Sequence, residues 1–266
     1  MATLVAFHAH PDDECMAQSG TLAKASAAGH RTVLVYATRG EVGEVADGFL
    51  DPGETLVERR MAEVARSAEV LGVSRVEWLG YRDSGMMGTP DNDDPRCFWR
   101  ADVEAAAVRL AAIVSDESAD VLTVYDANGH YGHPDHIQVH RVGMRAGELA
   151  GTPRVLELTW DRDRLREMMK AAAAAGAPVD ELPDFDDDTP FGTPAHLITT
   201  RVDVRDHIDR KRASMEAHAS QVQDTGPLLA LPPEVFREVL GEECYIRHGP
   251  SPDTPDTDVF AGLASP

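Results

Sequence analysis

The chain of 266 residues sets 46 acidic side chains against 25 basic ones, a formal net charge of −21, which excludes the broad basic surface that nucleic-acid phosphates require. A hydrophobic content of 42% with 27% charged residues is that of an ordinary globular protein, and α/β domains of this length close around one core. Cys15, Cys97 and Cys244 are too scattered for a disulfide framework or a CxxC motif.

In chain order, the apolar run over residues 3–7 predicts a strand, and the segment 19–28, closed by Gly29, predicts a helix. Residues 31–37 read as a second strand, 55–71 as a helix ended by Gly72, and 76–79 as a third strand. A loop rich in Gly, Pro, Asp and Asn over 80–97 leads to a helix over 102–115 and a strand over 121–125. This alternation predicts a Rossmann-like α/β fold, a mostly parallel sheet flanked by helices. Residues 1–150 would form the catalytic core and 151–266 a smaller α+β elaboration of the same domain. There the pattern predicts a strand over 154–158, a helix over 162–175, an acidic loop over 178–194, a strand over 197–204 and a helix over 206–217. The Pro-, Asp- and Ser-rich tail after His248 should be frayed. The N-terminus shows no basic segment or cleavage site and no apolar run approaches about 18 residues, so a cytoplasmic protein with no membrane span is expected. Its oligomeric state is left open.

Two clusters carry the chemistry. His8-Ala9-His10-Pro11-Asp12-Asp13-Glu14 follows the first strand, and His130-Tyr131-Gly132-His133-Pro134-Asp135-His136 follows the strand over 121–125. Both fall at carboxyl ends of strands, where open α/β sheets place their ligands. Imidazoles and carboxylates suit Zn²⁺, and catalytic zinc sites take three protein ligands. His10 and Asp13 on one loop and His136 on the other form such a set. Asp12 is then available as general base. A protonated His133 and the phenol of Tyr131 would stabilise an oxyanion, and Asp135 would orient an imidazole. His8 is expected to bond a ligand, Glu14 to cap a helix or support the site, Cys15 to pack, and Asp91, Asp93 and Asp94 to lie in a solvated loop. No GxGxxG, P-loop or GxSxG motif competes.

The pairing of HAHPDDE with GHYGHPDH resembles the LmbE-like, or PIG-L-like, zinc N-deacetylases, nearest their mycothiol deacetylase and mycothiol S-conjugate amidase branch, over roughly residues 3 to 147. The resemblance implies hydrolysis of the acetyl amide of an N-acetylglucosamine-containing small molecule, with Zn²⁺ or Fe²⁺ as cofactor. It implies His10, Asp13 and His136 as metal ligands, Asp12 as base, His133 as acid or oxyanion stabiliser and Tyr131 as carbonyl-polarising. Asp135 would tune its neighbouring histidine, and Arg60 and Asp83 would hold the sugar. Where the amidase branch carries a lysine after the first motif, this chain has Ala17. Two alternatives stand beside this reading: an amidase for a larger thiol conjugate or natural-product intermediate, and a sugar-binding module without turnover.

Overall fold

Thr3–His8 is buried along its whole length after the first residue, the pattern of a strand covered on both faces, and it forms β1, an interior strand of a seven-stranded sheet. The computed structural model describes residues 1–174, 191–248 and 255–263. The other strands are β2 (Arg31–Tyr36), β3 (Arg75–Trp78), β4 (Val121–Tyr125), β5 (Arg154–Thr159), β6 (Thr200–Asp203) and β7 (Glu242–Arg247). Among the described residues the helices are α1 (Asp13–Ala17), α2 (Ser19–Ala27), α3 (Leu56–Leu71), α4 (Val103–Asp116), α5 (Gly129–Gly132), α6 (Pro134–Ala150), α7 (Arg162–Ala174), α8 (Ile208–Ala217), α9 (Val222–Leu229) and α10 (Pro233–Leu240).

The strand order is β3-β2-β1-β4-β5-β7-β6. The first five strands are parallel, and β7 runs antiparallel to both β5 and β6. The chain therefore winds outward in opposite directions from the β1/β4 pair. The loops leaving those two strands diverge and open a crevice at their carboxyl ends. The predicted α/β class is the observed one. Residues beyond 150 complete the same sheet, because β4 pairs with β5 from Val121↔Arg154 to Tyr125↔Leu158.

The core joins Leu4, Val5, Val33, Leu34, Val121 and Leu122 of the sheet to the helices on its faces. Helix α6 lies unusually close to the sheet: a Cβ on Gly143 would fall 2.2 Å from Val124 Cγ1, and one on Gly147 2.5 Å from Val155 Cγ2. That close seat aims the N-terminus of α6 at the crevice. Helix α3 is started by a capping box, in which Thr55 Oγ1 accepts from Glu58 N (3.2 Å) and Glu58 Oε2 accepts from Thr55 N (2.9 Å). No helix of the described residues is long and apolar enough to cross a membrane.

The structure departs from the sequence reading mainly beyond residue 190. The strand expected over 197–204 shrinks to Thr200–Asp203, because Pro194 opens a 3₁₀ turn over Ala195–Leu197. A second such turn, Arg205–His207, delays the following helix to Ile208. Nothing in the sequence reading marked α9, α10 or β7. Residues 255–263 of the tail are docked on the fold: Asp256 bridges to Thr200, Val259 is buried, and the Phe260 ring stacks on His30 at 4.2 Å between centroids. Two apolar side chains suffice to dock a segment that composition marks as frayed. Ala175, most of the predicted acidic loop and residues 249–254 lie outside the described residues.

At the opposite end of the sheet from the crevice, Glu117 at the close of α4 gathers Arg31 at the head of β2 and Arg75 at the head of β3 (2.8 Å). Hydrogen bonds from Arg31, opposed by burial and joined by Arg75, hold the Glu117 carboxyl below its usual range. A lowered folded pKa stabilises the fold above the unfolded carboxyl range and ceases to do so as pH falls through the folded value. Glu117→Gln is expected to cost about 1 kcal/mol near neutral pH, the arginines being partly exposed. Urea midpoints should converge with wild type as pH drops from about 6 to about 3; a constant gap would contradict the ion-pair account.

Candidate active site

After β1 the chain turns through Pro11 into Asp12, whose backbone stands at φ 98° and ψ −25°, in the left-handed region. A non-glycine residue is held there only by its surroundings. Two contacts grip it: Arg60 Nη2 lies 3.2 Å from Asp12 Oδ2, and the Asp12 N–H donates to Glu14 Oε2 at 3.2 Å. Helix α1 then begins at Asp13, whose Oδ2 accepts from the His10 N–H at 2.7 Å. That bond closes the first motif into a tight loop.

The second motif leaves β4 through Asp126, which accepts from the backbone of Asn128 (3.2 Å) and His130 (3.0 Å) and from Thr159 Oγ1 (2.7 Å). Gly129 has φ 62°, and a Cβ there would sit 2.6 Å from Ile137 N, so only glycine lets the loop fold back on α6. His130 also adopts positive φ, at 65°, with its Nε2 2.9 Å from the Leu158 carbonyl. Pro134 opens α6, and His136, two residues on, shares that first turn and lines the crevice.

The two loops bring together the three residues expected to bind metal. His10 Nδ1 lies 3.3 Å from His136 Nε2 and 3.6 Å from Asp13 Oδ2, while His136 Nε2 lies 3.3 Å from Asp13 Oδ1. Tetrahedral coordination with bonds of about 2.0–2.1 Å separates its ligands by about 3.3–3.4 Å. The donor set and its spacing thus fit a small divalent cation. His10, His133 and His136 form a looser group, their ligand atoms within 4.8 Å of one another. The Asp135 N–H, however, occupies His133 Nδ1 (3.1 Å).

The far edge of His10 is held by carboxylates: its Nε2 is 3.2 Å from Asp135 Oδ2 and 3.5 Å from Asp83 Oδ1. Asp135 also accepts from the Ser84 N–H (2.9 Å) and hydroxyl. The imidazole its carboxylate meets is therefore that of His10, whereas its backbone N–H reaches His133 Nδ1. Asp83 accepts from Gly85 N (2.8 Å) as well as facing His10. Carboxylates behind a ligand imidazole fix its ring and raise its basicity.

Electrostatics divides the carboxylates. Burial would raise the Asp13 pKa, but His136 and His10 hold it well below the ordinary range. Burial likewise pushes Asp12 up, and although Arg60 opposes, with Asp13 adding to the rise, it stands at about 6. Burial, reinforced by His10 and His136, lowers His133 to about 2. Since His133 Nδ1 accepts a backbone hydrogen bond, the neutral ring carries its proton on Nε2. Burial and the neighbouring imidazoles thus oppose the protonated form of His133 that the sequence leads one to expect.

These groups line a cleft of about 790 Å³, within the range of small-molecule sites. Tyr131 stands at its wall, 46% exposed, with its ring 4.9 Å from that of His136. Arg60 is buried, on the face of α3 that also carries Glu63 and Ser67, and donates to the carbonyls of Pro11 and Gly40 (3.2 Å). It is thus no surface cation, although it lies on a helix of polar sequence. Ala17 and Met16 lie on the cleft wall, and Trp160, Ser220 and Gln221 reach it from beyond residue 150.

Other participants carried no sequence signal. Ser84 is an ordinary loop serine until the fold sets it under Asp135. His8, expected to bond a ligand, instead lies 2.9 Å from Tyr125 Oη, and its Nε2 has no partner among the described residues. Cys15 packs with Ile208, Met215 and Phe236, as expected of a buried free cysteine. Asp91 and Asp94 are paired with Arg82, not merely solvated.

The model of the GlcNAc-PI de-N-acetylase (PIG-L) family matches residues 5–147, and the chain belongs to that family. A relative from Geodermatophilus obscurus, named 1D-myo-inositol 2-acetamido-2-deoxy-alpha-D-glucopyranoside deacetylase, is 41% identical over 98% of this chain and 97% of its own. Its namesake from Thermobifida fusca is 40% identical over 97% of this chain and 98% of its own. Among solved structures, the conserved protein TT1542 from Thermus thermophilus superposes with a TM-score of 0.60 at 21% identity, over 96% of this chain and 98% of that one. The N,N'-diacetylchitobiose deacetylase from Pyrococcus horikoshii gives 0.57 at 22%, over 98% and 88%. A 4-carboxy-2-hydroxymuconate hydratase from Pseudomonas putida gives 0.59 at 19%, over 94% and 97%. These structures share the fold, and the hydratase among them shows that the fold alone does not choose the reaction.

Proposed function

We propose that this protein is a zinc-dependent N-deacetylase that hydrolyses the acetamide of an N-acetylglucosamine-containing small molecule. The glucosaminyl inositol named for its relatives is the first candidate. The observation that carries this reading is the triangle of His10, Asp13 and His136, with edges of 3.3–3.6 Å, beside an unliganded carboxylate, Asp12. A metal ion held there, Zn²⁺ or the similar Fe²⁺, supplies Lewis-acid polarisation of the amide carbonyl and a lowered pKa for water.

The protein's own groups handle protons and position. Asp12 accepts the proton of the attacking water, its carboxylate aimed by Arg60 at 3.2 Å. As the carbonyl oxygen gains charge, His133 Nε2–H and the Tyr131 hydroxyl donate to it. Collapse of the tetrahedral adduct returns a proton to the leaving amine from Asp12 or His133. Arg60 and Asp83 edge the volume left for the sugar. Segment 151–266 shapes the remainder through Trp160, Ser220 and Gln221.

The test is amine release by the metal-replete protein from the N-acetylglucosaminyl inositol, free N-acetylglucosamine and bulkier N-acyl thiol conjugates. The inositol glycoside should turn over fastest. A preference for the conjugates would reassign the protein as an amidase, and tight binding without hydrolysis would make it a sugar-binding module. Tyr131→Phe should lower kcat by about 10- to 100-fold, because a half-exposed donor contributes less than an enclosed one, with bound metal unchanged. Unaltered kcat would remove Tyr131 from the oxyanion site.

A further inference from the structure

Beneath Asp12 lies a buried assembly that the mechanism above does not use. Glu14 is fully buried; its Oε2 takes the Asp12 N–H at 3.2 Å, while Oε1 accepts from Ser67 Oγ of α3 at 2.7 Å and meets His218 Nε2 at 2.6 Å. Ser67 Oγ is in turn 2.8 Å from Ser214 Oγ of α8. His218 closes α8, is fully buried, and has no partner for its Nδ1 among the described residues. The imidazole is thus committed to Glu14.

Asp12 stands at φ 98°, a conformation that a non-glycine residue does not hold by preference. Arg60 fixes its carboxylate from one side, and Glu14 fixes its backbone from below. Glu14 can do so only if its own carboxylate is held, since a rotamer change would release the Asp12 N–H. The groups holding it are Ser67 and His218, from two helices that meet at this point. If His218 served only to attach α8, an apolar ring of similar size would serve in the same buried place at less desolvation cost.

We infer that His218 is a positioning residue for the general base: through Glu14 it fixes the strained backbone of Asp12, so that the carboxylate stays aimed at the attacking water. The inference rests on the deacetylase reading, with Asp12 as base. Misplacement of a reacting group by about 1 Å costs about 100-fold in rate. The effect should fall on kcat, because Ser67, Ser214 and His218 neither hydrogen-bond a proposed metal ligand nor line the cleft.

The experiment is a double-mutant cycle on the metal-replete enzyme. His218→Phe is expected to lower kcat by about 10- to 100-fold, with KM and metal per chain unchanged, and to speed hydrogen exchange at the Asp12 amide, which Glu14 holds. His218→Gln, which keeps an N–H donor toward Glu14, should recover most of that loss. In an Asp12→Asn background His218→Phe should cost nothing further, since there is no base left to position. An equal loss in both backgrounds, or an unchanged kcat with only a lower Tm, would overturn the proposal. If His218→Phe fails to fold, Ser67→Ala takes its place in the cycle with the same criteria. Absence of amidase activity in the wild-type protein would instead defeat the functional reading, so the two failures are distinguishable.

Discussion

Asp12→Asn is expected to lower kcat by about 10²- to 10⁴-fold while metal content stays at the wild-type ratio. The substitution removes the proton-accepting oxygen and little else. Asparagine tolerates positive φ better than most residues, so the loop at φ 98° is retained. Arg60 keeps the carbonyls of Pro11 and Gly40 as acceptors, so it does not become a bare buried charge. Kinetics with parallel metal analysis separates the two roles that adjacent carboxylates hold in this motif. Wild-type turnover in Asp12→Asn would end its assignment as base, whereas loss of metal would move it into the ligand set.

The converse result is expected for the ligands. His136→Ala should strip the site of metal and abolish turnover, because it removes one corner of a triangle whose edges are 3.3–3.6 Å. Asp13→Ala should do the same and also lower stability, since Asp13 Oδ2 accepts the His10 N–H at 2.7 Å. Rough magnitudes are a loss of more than about 100-fold in metal affinity for either. His133→Ala decides between the two possible triads: it should retain metal and lose activity. Metal per chain after dialysis against a weak chelator is the measurement. Undiminished metal in both His136→Ala and Asp13→Ala would refute the centre, and loss of metal in His133→Ala would favour the three-histidine alternative.

Much of this site is local in sequence, which is why it was legible there. His10, Asp12 and Asp13 lie on one loop and His133 and His136 on another, and the strand–helix alternation alone predicted that both loops leave carboxyl ends of strands. The contacts behind them are long-range and left no such trace. Asp135 bonding Ser84, Glu63 bonding Ser220 (2.8 and 2.7 Å), and Glu14 meeting His218 depend on which helices pack together. Arg60 shows the difference clearly: a helical arginine in a polar sequence reads as solvated, yet the period of α3 sets it with Ser67 and Leu71 on the buried face. Strand β7 escaped notice because it opens with two glutamates, one of which, Glu243, is buried against Lys211 at 2.6 Å.

The family match ends at residue 147, but the sheet does not. A fragment cut there would leave β4, buried on every residue, as a bare edge without β5, an invitation to pair with other chains. It would also lack the serine and histidine that brace Glu63 and Glu14. Exchanging C-terminal halves between relatives to transfer substrate preference is therefore a transplant of three strands of the sheet and of the contacts that hold Glu14 beneath Asp12. Swaps confined to residues 86–89, which line the cleft through Met86 and Thr89, would spare Asp83 and Ser84 and vary only the wall.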